Sequence, residues 1–396
     1  MINMSLEYFF DAPAFDFETN RKLLVNNLDF LKSMSVEEQT FYKKWQEVQT
    51  YVDVASKLNV VKAKIWQPTD ISDELRTIKE IENCQPELVY VETKQQNEDW
   101  TLLRVFVSTF EFSQTPGRFL KFLIVDRNKP ETPYIGVLAV SSDVITITDR
   151  DNYIGWNKNN KIKDKKLAHS AIGSSIISTQ PFGYNFLGGK LAAAMVVSKT
   201  VQDLWKKLYN QTLVGMTTTS LYGSYSMYNS LKWWHKCGTS AGKIAIKPDD
   251  TIYKTWHEWI KENKKDKYEA AMTQRDGVSG PVTGAKSRVI SMIFSACEIK
   301  QSKYIHGYER GVYYSCFYEN TKEFLQSKID ENQLKMKDLF KRDYDGIMEW
   351  WKPKAVERFK RLKVEGNVKG DIHFYNKMIG MTYDDAKNVY FKEVGR

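Results

Sequence analysis

Cysteine is scarce in this sequence: Cys84, Cys237, Cys297 and Cys316 are scattered through 396 residues, with no CxxC pair and no ligand-like spacing. That argues against a disulfide framework and against a zinc site readable from spacing, and it points to a reducing compartment. Long apolar runs are also missing, since none approaches the ~20 residues that span a bilayer. Met1–Asp16 carries acidic residues and no basic stretch, which does not fit a signal peptide. A cytoplasmic protein with no membrane contact is expected. The five histidines (His169, His235, His257, His306 and His373) form no HxH or HxxxH pair, so no metal site is expected. There is no GxSxG, no Walker loop and no cysteine beside a histidine, which disfavours a triad hydrolase and an NTPase.

What is present fits a folded protein of two or three domains, with 42% hydrophobic and 27% charged residues. The net charge of +9 is unevenly placed. Residues 1–100 carry 18 acidic and 11 basic side chains, a balance of −7, and the remainder carries +16. A basic body of this size attracts polyanions, DNA among them, by releasing counterions, although lysines also serve simply to keep a surface soluble.

Hydrophobic periodicity predicts two helices over residues 17–57, with Ser35 and Glu38 as a capping box, and a third over 70–83. Strands are expected at Trp100–Phe112, Arg118–Asp126, Tyr134–Thr148 and Leu167–Gln180, with a polar basic loop over Asp149–Lys166. The loop PFGYNFLGG (Pro181–Gly189) then leads into a helix over Lys190–Tyr209, a strand at Thr212–Thr219, a Tyr-rich helix from Ser224 to Lys236 and a strand at Lys243–Lys247. A Gly/Pro loop at Gly277–Lys286 precedes a helix over Ser287–Cys297, and His306–Tyr318 reads as a strand. The expected organisation is α/β: a helical N-terminal domain (1–97), a mixed-sheet core (98–320) and a basic helical C-terminal region (321–396).

The succession strand, Gly loop, helix, strand, helix, strand resembles the core of the GNAT acyltransferases. In that superfamily the backbone of a Q/R-x-x-G-x-G/A loop holds the pyrophosphate of acyl-coenzyme A. The matching stretch here is Asn185-Phe186-Leu187-Gly188-Gly189-Lys190, with Asn185 in place of Gln or Arg and the glycines adjacent. Glycines permit close backbone approach, and a helix N-terminus favours an anion. The resemblance implies acyl-coenzyme A or a related phosphate-bearing donor held by Tyr184, Asn185, Leu187, Gly188, Gly189, Lys190 and Asn229. The tyrosine that acts late in the second helix of GNAT enzymes is replaced by Trp233, which leaves Tyr225 or Tyr228 as proton donor; a packed aromatic face is the competing explanation. Over roughly residues 120–320, RDNYIGW (Arg150–Trp156) and LYGSYSMYNSLKWWHKCGTSAGK resemble the DruA family of bacterial anti-phage loci, which also occurs in large phages. Its GNAT-like core is similar to that of Mom-type phage enzymes, which modify adenine in DNA.

That likeness implies a phage-associated or anti-phage protein in the bacterial cytoplasm or a virion, transferring an acyl-type group to a nucleobase amine. Asp151 would be the general base. Arg150, Trp156, Lys158, Lys161, Lys163, Lys165, Lys166 and Arg310 would hold the DNA. Two alternatives stay open: a non-catalytic nucleic-acid-binding component of a larger assembly with protein partners, and an N-acetyltransferase of a protein or small amine. Asp151 also fits a turn cap paired with Arg150, and the lysines a solvated loop.

Overall fold

In the computed structural model of the chain, the described residues are 15–108, 117–220, 226–273, 284–337, 342–370 and 375–394. In chain order the first elements are α1 (Phe17–Ser33), α2 (Val36–Gln49), α3 (Ala55–Ala63), α4 (Glu74–Asn83), β1 (Pro86–Tyr90), α5 (Lys94–Val107), β2 (Phe119–Asp126) and β3 (Tyr134–Ser142). Next come α6 (Thr148–Ile154), α7 (Lys158–Ile162), β4 (Ser170–Ser178), α8 (Phe182–Asn185), α9 (Gly188–Met195), α10 (Lys199–Tyr209) and β5 (Gly215–Ser220). The remainder is β6 (His235–Ala245), α11 (Asp250–Asn263), α12 (Lys265–Met272), α13 (Ala285–Ala296), β7 (Ile305–Cys316), α14 (Thr321–Leu325), α15 (Tyr344–Val364) and α16 (Tyr383–Val394). Among the described residues no helix is long and apolar enough to cross a membrane.

The chain divides into two compact units, one of Met1–Gln39 with Lys243–Tyr308, the other of Thr40–Gly242 with Glu309–Arg396. The described part of the smaller unit is mainly helical. Leu24, Leu28 and Leu31 recur on one face of α1 and are fully buried, as are Trp256 and Ile260 of α11 and Ile293 of α13, or nearly so. Asp16 caps α1 by accepting from the Thr19 N–H at 2.8 Å.

The larger unit is α/β and is built on a mixed sheet of order β1-β2-β3-β4-β5-β7-β6. Strands β1 to β4 pair antiparallel in sequence order, β4 and β5 run parallel, and β7 returns antiparallel to β5. Alternation along β2 sends Leu120, Phe122 and Ile124 into one apolar cluster and Leu123 and Val125 into another, so each face is covered. The first cluster takes Ile81 of α4, Leu191–Met195 of α9 and Trp351 and Phe359 of α15. The second takes Phe41 and Val48 of α2, Leu58 and Val61 of α3, and Trp100, Leu103 and Phe106 of α5.

Several elements differ from expectation. Trp100–Val107 is helix, not strand; Thr93 and Gln96 close a capping box at the start of α5, and burial on nearly every side erases a legible period. Residues 109–112 of that expected strand lie outside the described residues. The basic loop over 149–166 contains α6 and α7. The expected helix over 190–209 is two, broken at Val196–Ser198 before α10. Among the described residues of Ser224–Lys236 there are turns and then the start of β6, with no helix. Gly238 lies inside that strand, where a Cβ would meet the Asp149 carboxylate at 2.7 Å.

Candidate functional site

The parallel pair β4–β5 holds for three steps only: Ser170 with Gly215, Ala171 with Met216 and Ile172 with Thr217. Beyond that both strands continue but part. At the point of divergence the Thr218 hydroxyl donates to the Gly173 carbonyl at 3.1 Å, a side-chain link where the ladder ends. On its other edge β4 carries a bulge: Gly173 pairs with Val140 and Ser175 with Ala139, which leaves Ser174 between them without a ladder partner. The parting strands enclose a cleft of about 390 Å³. Ser174–Ser178 and Thr218–Ser220 line it from the strands, Arg104 and Ser108 from the end of α5, and Gly189, Met227 and Tyr228 from the far side.

The vertex of this opening is held by a buried charge network. Asp143, just past β3, accepts from the Ser170 hydroxyl at 2.5 Å, the Thr217 hydroxyl at 2.7 Å and Arg150 Nη1 at 2.6 Å. Asp143 therefore ties β4 to β5 where they still pair. Arg150 donates in turn to Asp151 Oδ1 at 2.6 Å, and Lys161 donates to Asp151 Oδ2 at 2.5 Å. Burial pushes the Asp143 carboxyl above its usual range, against the pull of Arg150 and the two hydroxyls. Burial works against the Arg150 charge as well, but Asp143 and Asp151 outweigh it and raise the pKa. Gly215 belongs to the same vertex, because a Cβ there would fall 2.3 Å from the Tyr314 hydroxyl.

These positions revise the sequence expectations. Asp151 is not in the cleft lining; its carboxylate is shared by two cations, so it serves as a framework group and not as a base facing a substrate. Arg150, Trp156 and Lys161 are buried, and Trp156 donates from Nε1 to the Leu325 carbonyl at 2.8 Å. They are unavailable to a polynucleotide. Lys158, Lys163 and Lys165 are exposed, and Lys166 lies 3.6 Å from the Phe324 ring centroid. This lysine group precedes β4, whereas the Gly188 loop follows it, so the two stand at opposite ends of a strand about 26 Å long. Arg310 is half-buried in β7.

The donor-loop residues also separate. Asn185 is buried and clasps the backbone of Lys369, donating to its carbonyl at 2.8 Å and accepting from its N–H at 3.0 Å. Tyr184 lies under the Arg358 guanidinium, 4.9 Å from its ring centroid, and so faces α15. Neither residue is in the cleft lining. Leu187 takes a left-handed conformation, φ 53°, ahead of α9. Of the two glycines only Gly189 lines the cleft. Lys190 Nζ donates to the Asn229 carbonyl at 3.2 Å, and the Asn229 side chain accepts from the Tyr313 hydroxyl at 2.8 Å. Burial, with Lys354 nearby, lowers the Lys190 pKa.

Tyr228 does line the cleft, packed against Trp234 and Tyr313 at ring distances of 5.1 and 5.2 Å. Burial raises its phenol well above the usual range, so it stays protonated. Tyr225, the other expected proton donor, lies outside the described residues. Arg104 and Asp143 were not expected at all. Each is a lone charge in an apolar run, WTLLRVFV and YIGVLAVSSDVITIT, and that is the signal that marks them.

A larger groove of about 780 Å³ lies between β1 and α15, but Glu87 and Arg127 in it pair with each other at 2.6 Å. Among the described residues no group of three metal-ligating side chains gathers.

Comparison with known proteins bears on 42–327, which match the family described as Druantia protein DruA. Druantia protein DruA of Escherichia coli (strain UMEA 4076-1) is 25% identical over 235 residues, covering 55% of this chain and 55% of that protein. The alignment thus spans about half the length of that curated relative. No solved structure matches.

Proposed function

The chain belongs to the DruA family, and from that premise we propose that it is an anti-phage defence protein whose core is a GNAT-like group transferase. The observation that carries this reading is the parting of β4 and β5 after three paired steps, with the Gly189 end of α9 beside the opening. A phosphate-bearing acyl donor suits the lining, because among the described residues it contains no carboxylate and its one charged side chain is Arg104. Such a donor supplies an activated thioester carbonyl. Gly189 leaves room at the helix start for a phosphate, and the neutral Tyr228 would relay to the departing sulfur the proton that the attacking amine sheds, ending neutral as it began.

The test is thermal unfolding of the full chain with acetyl-coenzyme A. Millimolar ligand should raise Tm by a few degrees, and Gly189→Glu, which puts a carboxylate at the cleft, should remove the effect. No shift in the wild-type protein would overturn the reading.

A second reading, nucleic-acid binding without chemistry, is favoured by the exposed Lys158, Lys163 and Lys165 on one loop. Its sign would be DNA affinity that falls steeply with salt.

A further inference from the structure

The cleft between β4 and β5 opens toward both faces of the sheet. Arg104, Val107 and Ser108 come from the end of α5, which packs on one face; Gly189 and Tyr228 belong to the side packed on the other. A donor entering along α9 would leave the α5 mouth for the second substrate. We propose that this α5 mouth binds a small acceptor carrying an oxyanion, a carboxylate or a phosphate, which Arg104 holds. The proposal rests on the group-transferase reading only in calling the ligand an acceptor; the anion site itself stands on geometry.

Arg104 is 5% exposed, yet it lines the cavity. Its guanidinium is oriented on both sides. Nε donates to the Ser175 hydroxyl at 3.4 Å, and the Glu47 carboxylate lies 3.6 Å from Nη1. Glu47 is itself held by the buried Lys44 at 2.6 Å, so the carboxylate behind Arg104 is shared between two cations. A guanidinium carries five N–H donors in a planar fork, which serves such partners and still suits a planar or tetrahedral oxyanion. Ser108 and Ser174 lie in the same lining and make it polar, the Ser174 hydroxyl donating to the Ala139 carbonyl at 3.3 Å. With no carboxylate among the described residues of the lining, a desolvated arginine selects for negative charge.

Size narrows the acceptor further. A volume of about 390 Å³ sits near the low end of small-molecule sites, roughly 300–1,000 Å³, and part of it must take the donor's arm. That favours a small amine bearing an acidic group over a nucleic-acid duplex. The exposed lysines precede β4, at the other end of that strand from this mouth.

Calorimetric titration of the intact chain with inorganic phosphate and, separately, with acetate tests the proposal and distinguishes the two oxyanions. The wild-type protein should bind one of them saturably. Arg104→Gln should weaken that binding about tenfold or more, as expected for losing a charge-assisted pair, and Arg104→Lys should fall between. Val107→Trp narrows the mouth while leaving the guanidinium and its partners in place, and it should also weaken the anion; it keeps the test valid if Arg104→Gln misfolds by circular dichroism. Stabilisation by acetyl-coenzyme A should persist in Arg104→Gln. Binding of neither anion, or equal binding by wild type, Arg104→Gln and Val107→Trp, would overturn the anion site. Loss of the acetyl-coenzyme A response alone, in the wild-type protein, would sink the transferase reading and leave the anion site standing.

Discussion

A Cβ at position 188 would lie 2.4 Å from the Ser178 hydroxyl and 2.5 Å from the Phe182 ring, whereas at 189 it would meet only the flexible Met227 side chain, at 3.2 Å. The adjacent glycines therefore answer to different constraints, one to packing and one to the cleft. Gly188→Ala should cost about 1–3 kcal/mol through overpacking. Gly189→Ala should stay within about 0.5 kcal/mol, since it loses no contact and gains helix propensity. Urea denaturation midpoints of the two variants compare them directly. Lys44 gives a second prediction at this scale. Burial, partly offset by Glu47, lowers its pKa from 10.5 to about 8. Between those values the unfolded chain holds more protons than the folded one, so this residue's contribution rises with pH across that window, by at most about 3 kcal/mol. Below pH 8 the lysine is charged in both states and its contribution is flat. Measured from pH 7.5 to 10.5, wild-type stability should climb relative to Lys44→Met; parallel curves would contradict the assignment.

The β4–β5 pair shows how an element can be both secured and opened. Asp143 binds Ser170 and Thr217 on the two strands and Arg150 from α6, all in a buried setting. Asp143→Ala leaves a buried arginine without that partner and should destabilise by about 3–5 kcal/mol. Replacing both charges, with Asp143→Ala and Arg150→Met, should recover a good part of that loss, because it removes the unbalanced positive charge that the single variant leaves buried with Asp151 and Lys161. Equal losses in the single and double variants, read from urea denaturation, would show that the hydroxyl contacts dominate instead. This network also marks where the sequence was readable. Strands β2, β3 and β4 show in the sequence as apolar runs, α1 and α2 by helical spacing and α4 as a short charged stretch, and the strand–loop–helix around Gly188 shows by its glycines. Helix α5 was not, because Trp100, Leu102, Leu103, Val105 and Phe106 are all buried and leave no polar stripe. The site was legible in part: Gly189 and Tyr228 line the cleft, and Asp151 pairs with its neighbour Arg150, the alternative that the sequence leaves open, while Asn185 is drawn into a framework bond with a partner 184 residues away in sequence. Contacts of that range have no local signature, and the same holds for the pairing of Arg104 with Ser175.

On the scale of the whole molecule, the two readings of function fall on different ends of one strand. The lysine loop ends where β4 begins and the α9 loop starts where it finishes, about 26 Å apart. Three Debye lengths fit in that interval at physiological salt, where one is about 8 Å, so charges at one end are screened from the other. The buried Asp143–Arg150–Asp151–Lys161 network stands beside the lysine end, with its ion pairs made within it. Independence follows. The triple variant Lys158→Glu, Lys163→Glu, Lys165→Glu should lose salt-sensitive DNA binding, its log-affinity slope against log salt becoming shallower by roughly 2–3. Its thermal response to acetyl-coenzyme A should match that of the wild-type protein. Gly189→Glu should do the converse, removing the acetyl-coenzyme A response while DNA binding keeps its affinity and its slope. If either variant impairs both responses, the two ends are coupled through β4, and the proposed nucleic-acid face and the proposed transferase cleft would have to be treated as one site.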